Sequence, residues 1–302
     1  MNVDIACAEP AFLDLTMPGL DQIPKPGEER LATDFLRSPG GGAITAVGAA
    51  RLGLSSALVS PLGDDAVGLL LQEMLAEEGV RWAGRLVART PVTVIMPTNG
   101  DRAMATFDPG ESVTAEELAA LQPRAVVVSI PRLPLAPAGA RAYASIGDVD
   151  ARSLAGRELP AGLADTRALF VNEREARMLT GAQDIERAAR QLAEHTPQAI
   201  VTLGGNGALA AGADGTVRVE GLPVEVVDTT GAGDLFAAAY IWADHWGAAL
   251  EQRLRWAVLY ASLSVRVATA VAGAVTLRAL LEEGAELGLA SPVRQPAMKE
   301  DQ

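Results

Sequence analysis

Residues 224–240 read VEVVDTTGAGDLFAAAY, and no other stretch of the chain is better equipped for chemistry. An apolar, strand-like run ends at Asp228, Thr229-Thr230-Gly231-Ala232-Gly233 follows, and a helix is expected to begin around Asp234. Glycines at a strand-to-helix junction let the backbone turn tightly and aim successive N–H groups into one concavity. The helix N-terminus adds the positive end of its dipole. Such a turn holds an anion without lysine and can stabilise the charge on a transferring phosphoryl group. Asp234 lies within a residue of the turn, where a carboxylate can take the proton of an attacking hydroxyl. An Asp at a helix start is equally an N-cap. The two roles are compatible.

Composition narrows what the turn can serve. Of the 25 lysine and arginine residues only Lys25 and Lys299 are lysine, and no Gly-x-x-x-x-Gly-Lys-Ser/Thr loop occurs. A P-loop lysine is therefore not the phosphate ligand, and backbone amides, arginine or a metal must take that part. The formal net charge of −13 argues against a nucleic-acid partner, which needs a basic stripe. Cys7 is the sole cysteine, so no intramolecular disulfide is expected and a reducing cytoplasm is the natural setting. No basic segment followed by an apolar run opens the sequence, so no signal peptide is expected. Residues 256–275 are apolar but carry Arg266 at their centre, which suits a buried core helix better than a membrane span. His195 and His245 lack ligand-like neighbours and read as surface or helix-end residues.

Three further clusters could meet a ligand. VTLGGNG at 201–207, with Thr202, Gly204 and Gly207, suits close backbone approach by a nucleotide, and it also suits an ordinary tight turn. Asn172 and Glu175, three apart in Asn-Glu-Arg-Glu, could share one side of a first helical turn and reach a Mg²⁺ shell through water. Helix capping is the simpler use of such a pair. Ser-Pro-Gly-Gly-Gly at 38–42 would let a polar ligand approach the backbone, and Gly63-Asp64-Asp65 reads as a strand-to-helix connection with Asp64 as cap.

These residues need a scaffold. Strands are expected at 3–8, 56–60, 125–130, 168–171 and 199–203, and helices at 42–52, 64–78, 173–180, 184–195, 234–244 and 252–271. In the helix at 64–78, Val67, Leu70, Leu71, Met74 and Leu75 share one side and Gly79 stops it. Short apolar strands alternating with helices indicate a doubly wound, mostly parallel α/β sheet flanked by helices. Residues 12–35, rich in Pro and Gly, and 90–107, a hairpin with its turn at Asn99-Gly100-Asp101, break the alternation. They are either a small β-sheet over the ligand crevice or a pair of surface excursions.

SPGGGAITAVGAARLGL, PLGDDAVG, VNEREARMLTG, VTLGGNGA and VVDTTGAGDLFAAAY, taken in that order, resemble the motifs of the PfkB (ribokinase-like) carbohydrate kinase family over nearly the whole chain. The resemblance implies a ribokinase-like α/β domain over 1–11, 37–89 and 108–302, with a β-lid from 12–36 and 90–107. It implies transfer of the γ-phosphoryl group of ATP to a hydroxymethyl group of a sugar or sugar-like substrate. On that pattern Asp234 matches the catalytic base, and Gly231, Ala232 and Gly233 match the anion hole. Asn172 and Glu175 match the motif that organises Mg²⁺, and Thr202, Gly204, Gly207 and Thr229 match the ATP side. Asp14, Gly41, Gly42 and Thr45 fall at sugar-side positions. Many members bind a monovalent cation such as K⁺ near the signature, which places Asp228 and Thr230 close to it. Lids of this kind pair between subunits, implying a homodimer.

The sequence departs from the family in two places. Members carry an Asn four residues after the paired glycines, where this chain has Thr45 counting forward or Ile44 counting back from Leu52-Gly53, so a sugar contact is altered. Residues 131–160, rich in Ala, Pro and Arg, do not align. A nucleoside or keto-deoxy sugar acid kinase on the same scaffold stays open, as does a catalytically silent sugar-binding homologue, although Asp234 kept beside the full hole argues against the latter. A dinucleotide-binding dehydrogenase is excluded, because no Gly-x-Gly-x-x-Gly follows the first strand.

Overall fold

The computed structural model describes residues 2–98 and 101–293. The chain runs through β1 (Ile5–Cys7), β2 (Ala11–Thr16), β3 (Leu36–Gly41), α1 (Gly42–Arg51), β4 (Ser56–Leu58), β5 (Leu62–Gly63), α2 (Ala66–Glu77), β6 (Arg81–Trp82) and β7 (Leu86–Val87). Next come β8 (Val92–Thr98), β9 (Asp101–Phe107), α3 (Ala115–Ala119), β10 (Ala125–Ser129), β11 (Arg141–Ser145), α4 (Asp148–Leu154), β12 (Ala168–Asn172), α5 (Glu173–Thr180) and α6 (Ile185–Leu192). It closes with β13 (Gln198–Thr202), β14 (Ala208–Gly212), β15 (Gly215–Val219), α7 (Ala232–His245), α8 (Leu250–Ser264), α9 (Ala270–Gly273) and α10 (Leu277–Glu286).

Among the described residues the large sheet has nine strands in the order β15-β14-β13-β12-β11-β10-β1-β4-β6. It is parallel from β13 to β6, with β14 and β15 antiparallel at one edge. Each central strand is buried on both faces. Ile5, Cys7, Val127 and Phe170 pack with α1, α7 and α8, while Ala6, Val126, Val128 and Leu169 pack with α5 and α6. That two-sided burial is why these strands read as unbroken apolar runs. A smaller four-stranded sheet runs β3-β2-β8-β9, in which two antiparallel pairs are joined by parallel pairing of β2 with β8. It takes in residues 36–41 as well as the two irregular segments. The hairpin turn expected at Asn99-Gly100 lies outside the described residues.

α1 and α7 pack closely because one of them lacks a side chain at the crossing. A Cβ on Gly48 would stand 2.7 Å from Leu235 Cδ2 and 3.0 Å from Ala238 Cβ. The Tyr260 hydroxyl donates to the Gly48 carbonyl at 3.3 Å and so ties α8 to the same crossing.

Four local expectations change. The single helix over 252–271 is two: α8 stops at Ser264, and the chain reverses through Thr269, at φ +67°, into α9. The Val265 carbonyl left at the end of α8 accepts the Val227 and Asp228 amides at 2.8 and 3.2 Å. Residues 224–228 form no strand, and Val226 and Val227 are exposed. Asp65, not Asp64, caps α2: its Oδ1 accepts the Gly68 amide at 2.7 Å and its Oδ2 the Thr90 amide at 2.9 Å, while the Asp64 amide is used by Val87. Residues 131–160, unassigned from sequence, hold β11 and α4. Among the described residues no helix is long and apolar enough to cross a membrane.

At the far end of α7, Asp244 is buried, its side chain 1% exposed. It accepts from Arg167 at 2.8 and 3.1 Å, pairs with Arg253 at 2.9 Å and Arg141 at 3.5 Å, and takes the Tyr143 hydroxyl. Burial alone would raise its pKa, but hydrogen bonds from Arg167 and Tyr143 and the arginine charges hold it below the usual carboxylate value. A depressed carboxylate contributes stability that is present above the ordinary range and lost as pH falls through the folded value. Asp244→Ala, which strands three guanidinium groups, is expected to cost about 3–5 kcal/mol at neutral pH in denaturant unfolding. The deficit should narrow below about pH 4; a deficit independent of pH would contradict this account.

Candidate active site

The carboxyl ends of β10, β11, β12 and β13 open into one cleft of about 1110 Å³, walled on the other side by α7 and α8. Open α/β sheets bind ligands at this edge, where strand ends and helix starts leave backbone groups unpaired.

α7 begins at Ala232 with Gly231 as N-cap, two residues earlier than the sequence suggests, and no side chain caps its first amides. Gly231 is left-handed, at φ +70°, and a Cβ there would stand 2.3 Å from Ala270 Cβ and 2.9 Å from Ile44 Cδ1. Only glycine satisfies both constraints. At Gly233 an added Cβ would meet nothing within 4 Å, so this turn faces open space. The start of α7 is thus a set of uncapped amides at the positive end of a 14-residue helix, bordering the cleft.

Asp234 is the third residue of α7 and so does not cap it. Its carboxyl pKa is pushed up to about 8, first by burial and then by the charges of Glu9 and Asp14. The Thr45 hydroxyl, on α1, donates to the Asp234 carbonyl at 3.5 Å. Asn172 and Glu175 form a reciprocal capping box on α5: Asn172 Oδ1 accepts the Glu175 amide at 2.9 Å and Glu175 Oε2 accepts the Asn172 amide at 2.8 Å. Burial pushes the Glu175 pKa up to about 6, which leaves it ionised at neutral pH. On the opposite side, Gly204 and Gly207 are left-handed, at φ +57° and +87°. A Cβ on Gly207 would stand 2.0 Å from the Val219 carbonyl oxygen, so two strands close here only around a glycine.

Gly41, Gly42, Thr45, Asn172, Glu175, Thr202, Gly204, Gly207, Thr229 and Gly231–Asp234 all line this one cleft. Three expected residues do not. Asp14 is buried on β2 with its carboxyl beneath Gly40, where a Cβ would stand 2.2 Å away. Burial raises its pKa to about 7 against a Thr93 hydrogen bond that lowers it. Its charge still acts on Asp234 in the cleft. Asp228 and Thr230 sit behind the turn: Asp228 Oδ1 accepts the Thr230 amide at 2.8 Å and its Oδ2 the Thr269 amide at 3.0 Å.

Two residues that sequence reasoning passed over line the cleft. Glu9 takes a hydrogen bond from the Ser145 hydroxyl, and burial raises its pKa despite that bond and the nearby Arg132 charge. Its place just past the end of a buried parallel strand was the available signal. Arg102, on β9, donates from Nη1 to Thr229 Oγ1 at 2.8 Å. Nothing in its sequence context marked it.

Residues 11–276 match the pfkB family carbohydrate kinases. The chain belongs to that family. PfkB carbohydrate kinases are phosphotransferases acting on sugar hydroxyl groups. The chain is 31% identical over 262 residues to the ribokinase of Bacillus subtilis, covering 81% of this chain and 87% of that one. It is 29% identical over 239 residues to an ATP-dependent ribose-1-phosphate kinase of Halopiger xanaduensis, covering 74% and 78%. Among solved structures, Arabidopsis thaliana ribokinase complexed with ribose and ATP superposes with a TM-score of 0.77 at 25% identity, covering 93% and 98% of the two chains. The ribokinase of Thermotoga maritima shares the fold at a TM-score of 0.79.

A carboxyl whose folded pKa is raised favours the protonated fold, so ionising it costs stability. For Asp234 the cost should open above about pH 4 and be complete above about 8. Asp234→Asn removes it. The variant should melt higher than wild type at pH 8.5, with the gap closing toward pH 4; a wild type as stable as the variant at pH 8.5 would contradict the raised value.

Proposed function

We propose that the protein is an ATP-dependent kinase that transfers the γ-phosphoryl group to a hydroxymethyl group of a sugar or sugar-like substrate. The observation that carries the reading is the uncapped start of α7 opening onto the cleft beside Asp234. In the mechanism, the acceptor hydroxyl lies against the Asp234 carboxylate and the γ-phosphate over the amides of Gly231–Gly233. A carboxyl titrating near 8 is, once ionised, a stronger proton acceptor than an ordinary aspartate, and its ionised fraction grows as pH rises through that value. The left-handed glycines Gly204 and Gly207 admit the nucleotide. Residues 12–36 and 90–107 act as a lid that excludes water, which would otherwise compete as nucleophile.

Mg²⁺ fits as a partner of the nucleotide rather than of a protein cage. Among the described residues no group of three or more His, Cys, Asp or Glu side chains could hold a metal. Glu175, facing the cleft, would hold the ion through water, and the ion would supply positive charge against the nucleotide's phosphates. K⁺ fits behind the hole, where the buried Thr230 Oγ1 has no partner among the described residues, beside Asp228. Exposed Leu31, Phe35 and Met104 on and beside the smaller sheet suit a homodimer formed through the lid, in the cytoplasm.

Arg132 and Glu9, both lining the cleft, offer a cation and a carboxylate, which keeps sugar acids and nucleosides among the candidates. A panel of sugars, nucleosides and sugar acids assayed by ADP release is expected to give one preferred acceptor. With it, Asp234→Asn should cut turnover by about 10²–10⁴-fold while ATP affinity stays nearly intact. Near-normal turnover in that variant would refute the base. A sugar that raises the melting temperature, with no ATP consumed under any condition, would point to a silent binding protein.

A further inference from the structure

We infer that Glu9 selects the acceptor: its carboxyl takes hydrogen bonds from the hydroxyls of a neutral, polyhydroxylated molecule whose hydroxymethyl group lies at Asp234, and sugar acids are turned away. The inference rests on the kinase reading above and deepens it by naming the acceptor's class.

Position comes first. The strands of the large sheet run β13-β12-β11-β10-β1, and Glu9 lies two residues past the end of β1. The strand ends that carry Glu9 and the Gly204–Gly207 turn are therefore four spacings apart, about 19 Å, within one cleft. Asp234 belongs to the Glu9 end. A Cβ on Gly42, the first residue of α1, would stand 2.9 Å from the Glu9 Cβ and 2.9 Å from its carbonyl oxygen. Thr45, three residues along the same helix, donates to the Asp234 carbonyl at 3.5 Å. Residues three apart on a helix are neighbours, with Cβ atoms about 5–6 Å apart, so Glu9 and the base flank one turn of α1. A nucleotide seated at the Gly204–Gly207 turn leaves the Glu9 end to the acceptor.

Hydrogen bonding and charge then set what fits there. A carboxylate can accept about four hydrogen bonds. Among the described residues the half-buried Glu9 carboxyl has one donor, the Ser145 hydroxyl on its Oε1. Arg132 acts on Glu9 through its charge, while its own hydrogen bonds go to Ser129 Oγ at 3.3 Å and Ser112 Oγ at 3.2 Å. Spare acceptor sites facing a cleft call for O–H donors, which the neighbouring hydroxyls of a polyol supply. A carboxylate on the guest would instead meet Glu9, Asp150 and Asp234, three carboxyl groups set against the guanidinium of Arg132. Like charge placed against like charge rejects a ligand.

Calorimetry tests this without turnover. The neutral probes are D-ribose, D-fructose, D-glucose and adenosine, and the acidic ones D-ribonate and D-gluconate. At least one neutral probe should bind wild type, and more tightly than either acid. Glu9→Ala should weaken that probe by about 10–10²-fold, the range for hydrogen bonds to a charged group, and leave MgADP affinity unchanged. Glu9→Gln, which keeps the shape and one acceptor oxygen, should lose less. Monodeoxy analogues of the bound probe separate selection from scaffolding. Wild type should reject the analogue lacking the hydroxyl that meets Glu9 by about 10–10²-fold, whereas Glu9→Ala should bind analogue and parent within about threefold. With ATP, kcat/KM for the probe should fall with its affinity while KM for ATP holds. The inference is overturned if no neutral probe binds, if an acid binds best, if both variants keep the affinity, or if Glu9→Ala still rejects the analogue. A neutral probe that binds through Glu9 and is never phosphorylated would sink the kinase reading and leave selection by Glu9 standing.

Discussion

One backbone residue carries the site. Gly231 turns left-handed at the start of α7 with Ala270 and Ile44 packed against the space a side chain would need. That turn ends the irregular approach from β15, starts the helix without a cap, and leaves the first amides facing the cleft. Each neighbouring element is arranged around it. α9 supplies Ala270, and α1 supplies Ile44 from one end and Gly48 from the other, where the missing side chain lets α1 and α7 close. The reversal between α8 and α9 passes through Thr269, a left-handed non-glycine residue whose amide is held by Asp228. Strain at such a position persists only where the surroundings over-determine it. Here the surroundings are the turn itself.

The electrostatics follow from the same placement. In a chain with a net charge of −13, burial raises the proton affinities of Glu9, Asp14, Glu175 and Asp234, and the charges of the first three push Asp234 further up. In a binding module that arrangement would be a liability. On the proposed kinase reading it supplies the base, with the start of α7 placed to answer the charge that the nucleotide brings. The opposite end of α7 is fixed by another means, with Asp244 gripped by three arginines, so the helix that presents the hole is tied at both ends.

Much of this was legible in the sequence, for identifiable reasons. Buried parallel strands announce themselves as short apolar runs, and β1, β4, β10, β12 and β13 were each anticipated. Glycines that must be left-handed, Gly204, Gly207 and Gly231, stood out because no other residue serves there. The misses are tertiary. β11, Arg141–Ser145, is too polar at its ends to read as a strand, and it is held between β10 and β12. The apolar stretch after α8 breaks because the Val265 carbonyl is claimed by residues 38 and 37 positions earlier in the chain, Val227 and Asp228, a pairing no local pattern encodes. Asp14, matched to the sugar side by the family resemblance, packs its carboxyl against Gly40 on the neighbouring strand, a contact only the pairing of β2 with β3 reveals. Arg102 became visible only when the smaller sheet was brought to the cleft, whereas Glu9, just past the end of β1, carried a signal that was passed over.

The most direct test of the account is a crystal structure of the protein with ADP, Mg²⁺, aluminium fluoride and the preferred acceptor. The aluminium fluoride group should lie with its fluorine atoms about 2.7–3.1 Å from the first amides of α7, and the acceptor oxygen should lie against the Asp234 carboxylate. A group bound elsewhere in the cleft, with the amides of Gly231–Gly233 left facing solvent, would contradict the account.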